Sequence, residues 1–238
     1  MLRFLRKARQ SLIDEKKVSS YILYALGEIF LVVIGILIAL EINNWNEERQ
    51  RRQKELTSYE NIKEQISSDG EQLLREIDFN TGYFTQFQFG LDIIERQDRS
   101  SIDTLGWIAH NLLNYSDFDK QGNIYETIVN SGQLELLHNH DIINGLRSLE
   151  DQYLYINRME NIHYDAIMKY VIPAISRAVI ISDGQVERPD ILYSFEFKNM
   201  ILALLRIMQE KNDVYQRAVD QINSLIALIT EETAADGQ

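Results

Sequence analysis

Twenty-two consecutive residues near the N-terminus, Tyr21 to Ile42, carry only two charged side chains, Glu28 and Glu41. As an α-helix at about 1.5 Å per residue the run is roughly 33 Å long, which matches a hydrocarbon core. A lone segment in lipid satisfies its backbone N–H and C=O groups only within itself, so helix is the one conformation open to it. Tyr21 and Tyr24 at one end and Trp45 at the other are amphipathic aromatics suited to the two water–lipid boundaries. A cleaved export signal has a shorter apolar run ending in small residues, whereas this one runs into Glu41-Ile42-Asn43-Asn44. The sequence therefore predicts an uncleaved spanning helix over 21–42.

The net charge of -12 over 238 residues hides three unlike parts. Residues 1–20 sum to +4, residues 21–42 to -2, and the rest, with 18 basic against 32 acidic side chains, to -14. A short basic N-terminus stays in the cytoplasm, so the C-terminal part is expected on the exported side. Arg49, Arg51, Arg52 and Lys54 beyond the run weaken that asymmetry. Leu2, Leu5, Ala8 and Leu12 share one side of a first helical stretch, while Arg3, Arg6, Lys7 and Arg9 can meet anionic lipid headgroups. The acidic total argues against nucleic acid as a partner. With no cysteine, disulfides, thiolate metal sites and thiol catalysis are excluded.

The segments Tyr24-Ala25-Leu26-Gly27-Glu28-Ile29, Leu31 to Leu40 and Ile42-Asn43-Asn44-Trp45-Asn46-Glu47 resemble an uncharacterised family of single-pass membrane proteins of Bacteroidetes-type bacteria, a domain of unknown function. Tyr125 to Leu137 fits the same pattern more weakly. The resemblance implies an inner-membrane protein with a helical soluble domain, and it implies no activity.

Glu28 lies about two turns inside the apolar run, where an ionised carboxylate costs roughly 2.5–3.5 kcal/mol. At about 100° per residue, Tyr21, Glu28, Val32, Gly35, Ala39 and Asn46 fall within about 40° of one another. Gly35 and Ala39 form a small-xxx-small pair that admits a second helix backbone. Three readings of Glu28 stand side by side: it reaches the interface or is neutral, it takes part in helix–helix contact, or it serves proton or ion passage.

Beyond the run the apolar period is helical throughout. Tyr59, Ile62, Ile66, Leu73, Ile77, Phe84, Phe87, Leu91 and Ile94 recur at steps of three and four. Gly70 and Asn80-Thr81-Gly82 mark a bend or loop in that pattern, and Asp103 is placed to cap the next helix. Asn139 or Asp141 starts a long helix that Pro173 ends or kinks. Asp183-Gly184 marks a turn or short hairpin, and a last helix carries Phe197 to Ile229. Two prolines and eleven glycines are too few for a β-sandwich or barrel. The predicted fold is all-α: a transmembrane helix continuing into a stalk and a four-helix-type bundle. The expected divisions are a basic cytoplasmic segment 1–20, the spanning helix 21–42, a long helix 43–97, a bundle 98–232 completed by part of 43–97, and a frayed tail 233–238.

The seams break at Glu160 and His163 on one helix and at Lys211 on the last. Pairing those helices antiparallel places Lys211 within reach of Glu160, either as a register-setting ion pair or with both charges turned to solvent. Glu135-x-x-His138 and Glu160-x-x-His163 share only their internal spacing with di-metal bundles, being 25 residues apart with a helix break between them. No nucleotide, hydrolase or metalloprotease motif occurs. No cofactor, metal or catalytic residue is expected. The leading expectation is a membrane-anchored periplasmic interaction module that touches lipid and associates, with itself or another membrane protein, through the spanning helix. An ion-coupled or transport subunit using Glu28 and a ligand-sensing bundle are the alternatives.

Overall fold

The computed structural model describes residues 18–118, 124–130 and 132–234, and the chain divides into two units, Met1–Lys54 and Glu55–Gln238. The described residues are all-α. Helix α1 runs from Val18 to Glu95. It passes without a break through Gly70 and Asn80-Thr81-Gly82, where the sequence suggested a bend. The reason is that both points are engaged from outside the helix. Ile222 packs against the bare face of Gly70 at 3.4 Å from an ideal Cβ. Asn80 is buried and donates from Nδ2 to the Met208 carbonyl (2.9 Å) and to Asn212 Oδ1 (2.7 Å), so it does not compete for its own backbone.

In the first unit, α1 has an 18-residue window of mean hydropathy 2.6, long and apolar enough to cross a membrane, none of it buried within the chain.

In the second unit, α1 ends at Glu95 with Gln97 in the left-handed region, φ 52°. The amides of Asp98 and Gln97 bond back to the carbonyls of Ile93 and Ile94, a Schellman closure that meets two orphan acceptors. Asp98 then caps a 3₁₀ turn, Arg99–Ser101, accepting from the Ser100 amide at 3.0 Å. Asp103 does not cap: it lies in the first turn of α2 (Ile102–Asn111), whose N-cap position belongs to Ser101. Helix α3 spans Ile124–Asn130, and α4 spans His140–Ala166 with Asn139 capping the amides of Asp141 and Ile142. A π turn, Ile167–Val171, joins α4 to α5 (Ile172–Ile175). It absorbs Pro173, which cannot donate and crowds the carbonyl four residues back. Helix α6 is Pro189–Leu192, preceded by a loop closed by the Val179–Val186 antiparallel bridge. Helix α7 runs Phe195–Ala234; Thr233 and Ala234 are thus helical, and the remainder of the expected frayed tail lies outside the described residues.

Cross-contacts fix the directions. Gln152 reaches the Val214 carbonyl, Gln221 the Gly145 carbonyl, and Gly145 abuts Leu225, so α4 and α7 are antiparallel. Asn80 with Met208 and Gly70 with Ile222 make α1 antiparallel to α7 as well. Glu55 with His138 and Asp69 with Tyr153 make α1 and α4 parallel. The chain between them, 96–139, must therefore travel the bundle in reverse. It does so in pieces: α2 beside the end of α1, where Ile108 meets Gly90, then an irregular strap, then α3. Among the described residues the bundle is built on the long helices α1, α4 and α7, with the return segment between the first two broken into α2, the strap and α3. Two apolar cores result, one around Leu105, Ile108, Ile175 and Phe197, the other around Tyr59, Leu73, Leu149 and Ile222.

Candidate functional site

A broken helix brings unpaired backbone groups into the interior, and each must find a partner. The strap Asn114–Phe118 does this with Ser116 1% exposed and Phe118 buried against Tyr153, ring centroids 5.3 Å apart. The partners come from the helices on either side. Lys211 Nζ of α7 donates to the Ser116 carbonyl at 2.6 Å. The Phe118 amide donates to Glu160 Oε1 of α4 at 2.7 Å. The Tyr215 hydroxyl donates to the same oxygen at 2.5 Å and lies 3.3 Å from Ser116 Oγ. At the outer side the Asp117 amide donates to Glu76 Oε2 of α1 at 3.2 Å.

His163 is fully buried one turn beyond Glu160, its Nδ1 3.5 Å from Lys211 Nζ. The Tyr115 ring stands edge-on to it, and Lys211 Nζ sits 5.7 Å and 5.8 Å from the Tyr215 and Tyr115 ring centroids. Burial governs the electrostatics. It pushes the His163 imidazole down to about 3, with the Lys211 charge adding to the effect. Burial also lowers the affinity of Lys211 for its proton, partly offset by Glu160. Glu160 is driven toward its neutral form by burial, against the hydrogen bonds from Tyr215 and Phe118 and the Lys211 charge. Glu160 Oε2 and His163 Nε2 are buried without a hydrogen-bond partner among the described residues.

The two seam charges thus share one cluster, but they do not form the expected contact pair. Among the described residues Glu160 and Lys211 make no ion pair within 4 Å; each is spent on the strap that enters between them. Neither turns to solvent: Glu160 is 3% and Lys211 1% exposed. Sequence reasoning missed Ser116 and Phe118 as members, because a backbone acceptor and donor leave no signature in residue type. It also missed two polar positions on the α1 stripe that were legible by counting. Glu55 stands four residues before Tyr59, and Asp69 between Ile66 and Leu73. Buried Glu55 accepts from the His138 amide (2.7 Å) and from Tyr59 (3.1 Å), and His138 Nδ1 lies 3.0 Å from its other oxygen. Buried Asp69 accepts from Tyr153 at 2.9 Å.

In the first unit, Glu28, Val32 and Trp45 are exposed on α1, and Gly27 and Gly35 have no atom within 4 Å of an ideal Cβ. Ala39 is exposed on the same helix. Trp45 lies 6.0 Å under the Arg49 guanidinium. Tyr24 is half-buried, the Tyr21 side chain lies outside the described set, and so do Arg3, Arg6, Lys7 and Arg9. A separate groove in the second unit, between the π turn and the start of α7, is lined by Tyr170, Arg177, Ile191, Phe197 and Met200. Among the described residues no three His, Asp or Glu side chains are grouped to hold a metal ion.

The profile of DUF6090, a family of unknown function, matches residues 28–222, most of the chain. No curated protein and no solved structure matches it.

Proposed function

The chain belongs to that family of unknown function, and on this premise we propose that it is a single-pass anchored helical module of a bacterial inner membrane. Its bundle acts as a scaffold, assembly factor or accessory subunit and has no catalytic activity of its own. One observation carries the reading. The apolar window of α1 is wholly uncovered by the chain, while the same chain closes two cores elsewhere. Leu23 is 76% and Phe30 65% exposed, and apolar surface left in water costs about 25 cal/mol per Å². Lipid is the cover that fits a helix of this length.

The basic foot, Arg3, Arg6, Lys7 and Arg9, lies at cytoplasmic headgroups, and the acidic bundle lies in the periplasm. Association runs through Glu28, Val32, Gly35 and Ala39, with a second copy or another membrane protein. The bare faces of Gly27 and Gly35 support this, since no side chain among the described residues occupies them. Nucleic acid is not a partner of an acidic bundle. A second reading, an ion-coupled subunit, is favoured by Glu28 itself, an exposed carboxylate in the apolar run with no hydrogen bond or ion pair among the described residues.

The natural absence of cysteine makes topology directly readable. A single cysteine at exposed Ser224 should react with a membrane-impermeant maleimide in spheroplasts, and the chain should stay with membranes through carbonate extraction. Release by carbonate overturns the anchor; labelling only after lysis overturns the orientation. Glu28→Gln and Gly35→Leu then divide the two readings. Loss of oligomer or co-purifying partner supports association. Lost ion flux with assembly intact supports the second reading. No change in either removes this face from the function.

A further inference from the structure

The buried charges beside the strap do more than satisfy it, because they make its closure depend on protons. We propose that the strap Asn114–Phe118 is an acid-released latch in which His163 is the trigger and Lys211 and Glu160 are the holding groups. The geometry carries this. Lys211 Nζ already sits 3.5 Å from His163 Nδ1, so a proton on the imidazole places a second cation against the first in a site closed to water. Among the described residues no carboxylate bonds to either ring nitrogen: Nε2 has no partner there, and Nδ1 meets Lys211. The other charged or titratable groups facing the cluster are Glu160 and Tyr164 from α4, Tyr215 from α7, Tyr115 and Asp117 from the strap and Glu76 from α1. Among the described residues the carboxylate inside is Glu160, whose Oε1 accepts from Phe118 and Tyr215 and whose Oε2 has no hydrogen-bond partner.

The sign follows by linkage. In the closed form burial holds His163 down at about 3, whereas a hydrated imidazole titrates near 6.5. The open form therefore binds the extra proton between these values, and acid pulls the strap open through that window. Glu160 works in the opposite sense. Burial raises its affinity for a proton in the closed form, so its own uptake favours closure. Lys211, lowered by burial to about 8, adds a response of its own above that value. Opening withdraws Phe118 from Tyr153 and uncovers that part of the core.

Hydrogen exchange of the full chain in detergent micelles, corrected for the intrinsic pH dependence of exchange, tests this between pH 7.5 and 4.5. Strap amides, Phe118 first, should open progressively below pH 6.5, by less than the tenfold per pH unit that His163 alone would give, because Glu160 opposes it. Core amides of α4 and α7, such as Leu149 and Leu225, should hold steady over the same range. In His163→Asn the acid opening should vanish or reverse, leaving the opposing response of Glu160, a change that lost packing alone would not produce. His163→Gln serves where the first variant does not fold. A strap that exchanges with the same pH dependence in wild type and variant overturns the proposal. So does a strap that opens only together with the core, a comparison that needs no variant.

Discussion

Helix α1 holds two regions of opposite character on one continuous backbone. From Ile22 to Ile42 the side chains are apolar nearly all round, and none of the apolar window is buried. From Glu55 to Glu95 they are apolar along one stripe, and that stripe is sealed: Tyr59, Ile66, Leu73 and Phe87 are 0% exposed. Helix propensity does not separate these regions. What separates them is who satisfies a polar intruder. Glu28, in the uncovered region, has no partner among the described residues, whereas Glu55, Asp69 and Asn80 on the sealed stripe each reach a group on another element. Glu55, Asp69 and Asn80 are therefore part of the bundle's fastening, and Glu28 is not.

The contrast breaks most visibly at its charges. Glu160→Ala leaves Lys211 buried without its counter-charge and the Phe118 amide without an acceptor, and should cost about 3–5 kcal/mol of stability. Glu28→Ala should leave the bundle's urea midpoint where it is. Equal losses from the two variants would show that the bundle depends on Glu28 and would dissolve the distinction.

Glycine gives the next test. An ideal Cβ on Gly106 would stand 2.3 Å from the Gly184 carbonyl oxygen and 2.7 Å from Val186. Because Gly184 holds a left-handed φ of 74°, that loop cannot easily yield. Gly106→Ala should cost about 1–3 kcal/mol by overpacking, measured as a fall in thermal midpoint. The same change at Gly35, which faces open space, should alter only association.

The smallest effect is a single hydroxyl. Tyr153→Phe removes the 2.9 Å bond to Asp69 without changing shape, and should cost about 1 kcal/mol in denaturant unfolding. A neutral result would mean that the bond adds nothing beyond ring packing.

Much of this fold was legible because its signals are periodic and local. The stripes at Tyr59 to Ile94 and Phe197 to Ile229, the Asn139 cap and the antiparallel pairing of the last two long helices follow from steps of three and four. The misreadings share a cause. Local preference points to a break at Gly70 and Asn80 and a cap at Asp103, yet the first two are held by α7 and the third lies inside the first turn, past the N-cap position at Ser101. The site was half legible. Glu160, His163 and Lys211 declared themselves as charges on an apolar face, but their use did not, because their partners are the carbonyl of Ser116 and the amide of Phe118.

By itself the sequence determined the class of the protein: an apolar run as long as a bilayer is thick, followed by amphipathic helices that must hide one side each. Those are consequences of hydropathy and helical geometry, which act within a single segment. Only the tertiary structure decided that the return segment of the bundle is broken and that Glu160 and Lys211 bind the break rather than each other. The physical reason is that backbone groups carry no identity in the sequence, so the cost of burying them, and the charges needed to meet it, become visible only once the chain is packed.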